Sequence, residues 1–277
     1  MDILYLSDNL IALTGPVDRS TGGAVADSGT VNARLYDESK ETRTVALVTR
    51  TTRDETSAAT SVQVPLFSPN PINAGDTVRV YLDDGSVKEA ALSGVTPATG
   101  YMTLTCGALG VAAAAGSRVE IRTTATAATK LVIPADTSLA LGDTVDFAAV
   151  PATQQRTITQ IQRLVATEDA DNVAATPAPN QPWFDVITLD SALGTATPAD
   201  SLIRAYLGAD IALSSFGTFP TSNPVAGDTA WGFRGTIPDT QVGLAPGQRV
   251  RIEIVYNGGA GLQKVTALVA TVRENSG

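Results

Sequence analysis

The sequence predicts an all-β protein, with a β-sandwich built from both chain ends and interrupted by two small tandem β-barrels. Three observations lead there. Apolar and polar residues alternate over short runs, and helical periodicity of any length is absent; the Ala-rich run Val111–Ala115 is closed off by Gly110 and Gly116. The runs are separated by Gly, Pro, Asn and Asp turn signals. Aromatic residues make up only 5% of the chain against 43% hydrophobic residues overall. A Thr-, Val-, Ala- and Gly-rich composition of this kind suits several small sheets better than one large core.

Leu10–Thr14 reads as a first short strand, ended by Gly15-Pro16, and Asp18–Gly23 as a polar loop. Thr30–Tyr36 alternates, with Val31, Ala33 and Leu35 on one face and Asn32 and Arg34 on the other. Asp37-Glu38-Ser39-Lys40 reads as a turn, after which Thr44–Thr49 alternates again. The polar, aperiodic stretch TTRDETSAAT, residues 51–60, reads as a linker. Thr77–Leu82 and Val87–Leu92 flank Asp83-Asp84-Gly85-Ser86, a hairpin signal with Gly where positive φ is needed. Tyr101–Thr105 and Arg118–Arg122 add two strands, and Phe184–Leu189 another. SSFGTFPTSNPVAGDT, residues 214–229, reads as a loop. At the far end Ala230–Ile237, Arg249–Tyr256 and Leu262–Val272 are strands separated by Pro-Asp-Thr, Ala-Pro-Gly-Gln and Gly-Gly-Ala-Gly. Three such strands bury one face only against a second sheet, which the N-terminal strands supply.

The middle of the chain repeats itself. Ala74-Gly75-Asp76-Thr77-Val78 is echoed by Leu141-Gly142-Asp143-Thr144-Val145, a displacement of 67 residues from Asp76 to Asp143. Thr103-Leu104-Thr105 with Ala108-Leu109-Gly110 is echoed by Ile187-Thr188-Leu189 with Ala192-Leu193-Gly194, a displacement of 84 from Leu109 to Leu193. The second copy therefore carries about 17 extra residues, assigned to the polar, Pro-rich segment 166–183. The expected organisation is residues 1–55 plus 211–277 as the split sandwich, 56–125 as the first inserted barrel and 126–210 as the second.

Composition narrows the chemistry. A net charge of −9 with a pI near 4.5 argues against binding a phosphate backbone by bulk charge and favours a basic patch on a protein partner. The chain has no histidine, which removes the commonest general base, the commonest zinc ligand and every Ser-His or Cys-His nucleophile. The single cysteine, Cys106, has no intramolecular disulfide partner and reads as a buried structural thiol. The opening MDILYLSDNLIALTG lacks a basic n-region and a continuous apolar run, so neither a signal peptide nor a membrane span is expected, and the chain is expected to stay soluble in the cytoplasm where it is made.

The acidic and aromatic motifs read as structure. Asp83-Asp84-Gly85 fits a hairpin tip better than a catalytic carboxylate pair. Glu168, Asp169, Asp171 and Asn172 lack the turn Gly and the bidentate Glu of a calcium loop and read as a solvated segment. Trp183 and Phe184 read as core aromatics at a strand start rather than as a sugar platform, and Trp231 and Phe233 as sandwich core with Arg234 facing the other way. Gly258–Gly261 lacks the strand–helix context of a phosphate cradle. No catalytic, cofactor-binding or metal-binding residue is assigned, and no cofactor is expected.

Two blocks at the N-terminus, Asp8-Asn9-Leu10-Ile11-Ala12-Leu13-Thr14-Gly15 and Gly29–Asp37, pair with three near the C-terminus. These are Phe233-Arg234-Gly235-Thr236-Ile237-Pro238-Asp239, Leu244-Ala245-Pro246-Gly247 and Gly258-Gly259-Ala260-Gly261-Leu262. Together they resemble small immunoglobulin-like proteins of the structural gene cluster of tailed bacteriophages. In that family the blocks sit close together in one short domain; here about 150 residues stand in the loop before the Phe-Arg-Gly-Thr segment. The resemblance covers less than half of the chain and does not extend to the inserted part. It implies a non-enzymatic virion structural protein. The first expectation is a capsid decoration or cement protein on the head, partnered with the major capsid protein or other virion proteins, with no nucleic acid or membrane partner. Repeated display on a shell makes a homo-oligomer the expected state. A neck, tail or baseplate component is the alternative within the virion, and a carbohydrate-binding adhesion module the alternative outside it. A glycosidase built on scattered carboxylates is disfavoured by the lack of any convergent acid motif.

Overall fold

The computed structural model describes residues 2–5, 9–13, 30–147, 155–167, 184–208, 210–220, 229–237, 244–258 and 261–273. These residues contain no helix and are organised as multiple antiparallel sheets, an all-β protein. The described chain forms two compact units, one drawn from residues up to Glu41 and from Arg204 onward, the other from Thr42 to Ile203.

The terminal unit contains β1 (Asp2–Tyr5), β2 (Asn9–Leu13) and β3 (Thr30–Arg43) from the N-terminal segment. The C-terminal segment adds β18 (Ile211–Pro220), β19 (Thr229–Ile237), β20 (Arg249–Gly258) and β21 (Gly261–Arg273). The order runs β1-β21-β20-β3, and β3 continues through β18 and β19 to β2. The two ends of the chain meet directly, because β1 lies parallel to β21 with Asp2 opposite Ala270 and Tyr5 opposite Arg273. The predicted alternation explains the core. Val31, Ala33 and Leu35 of β3 are buried with Val250, Ile252 and Ile254 of β20, Leu213 of β18 and Ile237 of β19.

Two expectations for this unit are corrected. Asp37–Lys40 is not a turn but lies inside the fourteen-residue strand β3. Pairing with β20 ends at Asp37, opposite Val250, and within the strand the Asp37 carboxylate accepts from the Ser39 amide (3.0 Å) and hydroxyl (2.6 Å). The polar letters marked loss of a covered face, not a reversal of direction. The segment from Ser214 is likewise not a loop, since β18 runs to Pro220 and pairs with β19 from Ser214–Arg234 to Pro220–Thr229.

The second unit begins with β4 (Leu47–Arg50), β5 (Ser61–Ser68), β6 (Thr77–Tyr81), β7 (Val87–Ala91), β8 (Gly94–Pro97), β9 (Tyr101–Thr105) and β10 (Arg118–Thr124). It continues with β11 (Lys130–Pro134), β12 (Thr144–Phe147), β13 (Gln155–Arg163), β14 (Val165–Thr167), β15 (Phe184–Leu189), β16 (Thr197–Pro198) and the first residues of β17 (Leu202–Tyr206). Leu47–Arg50, which alternation groups with the terminal strands, pairs with β10 of this unit, Leu47 opposite Ile121. Residues 51–60, expected as a linker, are bonded throughout: Glu55 exchanges both backbone bonds with Ala113, and Ala59 and Ser57 carbonyls accept from Leu109 and Gly110.

The unit is built twice over. In the first copy β5 pairs with β9 as Val62–Leu104, and in the second β11 pairs with β15 as Leu131–Ile187. The β6–β7 pair Val78–Ala90 recurs as Val145–Arg156 between β12 and β13, and the β8–β9 pair Val95–Leu104 as Ile161–Ile187 between β13 and β15. The single strand β13 thus does the work of β7 and β8. The loop bonds recur as well. Gly75 N donates to Leu92 O and Leu92 N to Asp76 O; Gly142 N donates to Ile158 O and Ile158 N to Asp143 O. The extra residues of the second copy fall between Arg163 and Phe184, where β14 leaves to pair with β5 of the first copy, Val165 opposite Ser68.

Candidate functional site

The densest group of buried charge lies in the terminal unit, on the face of β3 and β20 opposite the apolar core. Strand parity puts it there: Val31, Ala33 and Leu35 point one way, so Arg34 and Tyr36 point the other, and across from them stand Glu253 and Arg251. The chain re-enters this unit at Arg204, and that side chain is the first to join the group. Arg204 donates to Glu253 Oε1 at 2.7 Å, with side chains 7% and 5% exposed. Its guanidinium lies 3.9 Å from the Tyr36 ring centroid, and Tyr36 packs against Tyr206 with centroids 6.0 Å apart. Arg251 Nε donates to the same Glu253 oxygen at 3.1 Å. Four residues past β17, Asp210 accepts a forked pair from Arg34 (3.0 and 2.8 Å) and a bond from the Tyr206 hydroxyl (2.8 Å).

This arrangement fixes geometry rather than supplying reactivity. Both carboxylates accept from guanidinium groups, which stay protonated, and the Tyr206 hydroxyl is spent on Asp210. Three side chains of residues 204–210 are tied to three of β3 and β20, so the returning chain is pinned to the sheet that receives it.

The matching exit lies in the second unit. Thr44 N donates to Ser201 O (2.9 Å) and Asp200 N to Thr44 O (2.7 Å), while the Thr44 hydroxyl donates to Pro198 O (2.8 Å) and accepts from Ser201 N (2.9 Å). Apart from the bond from Ser201 N, this is the set that Thr51 makes with Ala114, Gly116 and Ser117 in the first copy. Sequence reading missed both threonines. The available signal was Thr56–Pro65, TSAATSVQVP, echoed by Ala125–Pro134, ATAATKLVIP, which marks where each copy begins.

The residues singled out by sequence do not converge. Cys106 is 4% exposed in the core, and burial pushes its thiol above the ordinary range, away from reactivity. Asp83 and Asp84 stand at the hairpin tip, accepting from Ala114 N (2.8 Å) and Ser86 N (2.9 Å), and Gly85 adopts φ +82°. Phe184 packs half-buried against the core. Trp231 and Phe233 alternate on β19 opposite Thr218 and Ser215, and Arg234, which follows them, is exposed. Gly258 and Gly261 face one another at the end of the β20–β21 pair. Glu168, Asp169, Asp171, Asn172 and Trp183 lie outside the described residues. Among the described residues no three His, Cys, Asp or Glu side chains group as a metal site requires.

No protein family, curated protein or solved structure matches this chain.

Proposed function

We propose that the chain is a non-enzymatic structural protein of a tailed-bacteriophage virion, a decoration or cement protein that binds the head surface. The observation that carries this reading is the composition of the terminal unit. The blocks that resemble the phage immunoglobulin-like proteins are separated by about 150 residues, yet they fall in one compact unit whose first and last strands pair. In this reading the terminal unit is the immunoglobulin-like sandwich, and the repeated unit is a pair of small barrels inserted into one of its loops. The pinned re-entry at Arg204–Asp210 and the Thr44 clasp support it, because a domain insertion needs both crossings held in place. Binding across contacts between major capsid protein subunits would favour the assembled particle by mass action.

The test is co-sedimentation of the purified protein with isolated heads and, separately, with isolated tails. Saturable binding to heads at a fixed ratio to capsid subunits is expected. Binding to tails alone, or at a few copies per particle, would move the protein to the neck, tail or baseplate. Failure to bind either, with retention on a glycan array, would replace the reading with carbohydrate adhesion.

A further inference from the structure

The outer face of the sheet β4-β10-β6-β7 carries an arginine cluster that the reading above leaves unused. Strand alternation buries Val78 and Val80 of β6 and Val119 and Ile121 of β10, so their neighbours turn outward. The register then sets Arg50 beside Arg118 and Glu120 beside Arg79. Arg118 and Arg122 flank Glu120, whose side chain is only 4% exposed, and Arg79 pairs with Glu89 on β7. Among the described residues Arg50 has no ion pair. Four guanidinium groups thus face two carboxylates in a chain whose net charge is −9. The arginine side chains remain open, at 37% for Arg79, 44% for Arg122 and 56% for Arg118.

We propose that this face docks an acidic protein surface. Arg and Tyr are the residues that interfaces favour, and here Arg118 sits over the Tyr81 ring at 5.4 Å, beside Val87, which is 45% exposed. A polyanionic backbone fits less well. Glu89 stands exposed among the guanidinium groups, the hairpin tip adds Asp83 and Asp84, and the acidic remainder of the chain repels a long polyanion. A carboxylate-bearing protein surface can instead take forked bonds from Arg50, Arg118 and Arg122 singly, with apolar contact at Val87.

The probe is a glutamate-rich peptide titrated into the isotope-labelled full chain, with a glutamine-rich peptide of equal length and oligodeoxythymidylate as comparisons. Amide shifts confined to Val48–Arg50, Thr77–Tyr81 and Arg118–Arg122, weakening with salt, are expected. Arg50→Glu should weaken binding about tenfold while the melting curve holds, since Arg50 is exposed and its substitution breaks no ion pair. Equal shifts with the glutamine peptide, no shifts, or tighter binding of the oligonucleotide would overturn the proposal. So would shifts on this face that depend on protein concentration without peptide, which would assign it to a second copy of the chain. None of these outcomes depends on whether the protein binds phage heads.

Discussion

Thr44 and Thr51, seven residues apart, make the same bonds to loops that are 84 residues apart. Thr51 N and O bond Ser117 O and Gly116 N, and its hydroxyl donates to Ala114 O at 2.6 Å; Thr44 does the same with Ser201, Asp200 and Pro198. Only Thr44 adds an acceptor role, toward Ser201 N. Thr44→Val is therefore expected to cost more than Thr51→Val, about 2 against about 1 kcal/mol, because it leaves one more buried polar group without its partner. Urea denaturation of the two variants measures the difference, and equal costs would contradict it.

The same comparison sets Asp200 against Gly116. Both hold positive φ, +69° and +88°, at equivalent places in the two clasps. An L side chain is strained there, and Gly116 has nothing within 4 Å of an added Cβ, so the backbone alone decides. Gly116→Ala should destabilise by about 1 kcal/mol. Asp200→Gly should be neutral or slightly stabilising, since the Arg43 ion pair it removes is exposed at 54% and 83%. A marked loss on Asp200→Gly would show that the carboxylate, not the backbone, matters.

Legibility followed the strength of local patterning. Tyr101–Thr105 and Phe184–Leu189 were readable to the residue, because alternation and flanking turns agree there. The repeat was readable from Gly-Asp-Thr-Val, since Gly75 and Gly142 both need positive φ. Asp37–Lys40 misled because an uncovered strand end and a turn have the same composition. Pairing partners were not legible at all: Leu47–Arg50 alternates equally well in either unit, and only its neighbour β10 decides. The buried polar group at Arg204 was invisible for the same reason, being assembled from three separate stretches of chain.

Asp76 gives a pH dependence. It is buried, and burial raises its carboxyl to about 6 despite amide bonds from Asn73 and Ala125 (2.8 and 2.7 Å). The folded form thus holds the proton more tightly than the unfolded chain, whose carboxyl titrates near 3.8. This group's contribution to stability is full below about 3.8 and is lost as pH rises through about 6. Asp76→Asn should remove that slope while itself destabilising by about 1–3 kcal/mol, because one amide donor would meet another. Melting curves of both proteins between these limits test it; parallel pH profiles would refute the assignment.

Gly235 of the Phe-Arg-Gly-Thr segment has a steric reason for its identity. A Cβ there would lie 2.5 Å from Leu213 Cδ2 and 2.9 Å from the Ala212 carbonyl oxygen. The leucine tip could rotate, but the carbonyl belongs to β18, which is bonded to β3 at Ala212 opposite Asn32. Relief therefore requires β18 and β19 to separate. Gly235→Ala should cost about 2–3 kcal/mol, at the upper end of overpacking. Gly94→Ala is the control, since its Cβ would meet only the Thr105 side chain, at 3.6 Å from Oγ1 and 3.8 Å from Cβ, ordinary contacts.

Arg204 and Glu253 should show the sign reversal of a buried pair. Arg204→Met takes from Glu253 its 2.7 Å partner and removes the cation over Tyr36, an expected loss of about 3–5 kcal/mol. Replacing both partners, Arg204→Met with Glu253→Leu, removes the buried charge as well and should recover most of that loss. Denaturation of the single and double variants closes the cycle. If the double variant were as unstable as the single one, the pair would owe its place to Tyr36 packing and the forked Arg34–Asp210 bonds beside it, with the Glu253 carboxylate adding little. Recovery would instead mean that charge pairing at Glu253 is what holds the returning chain.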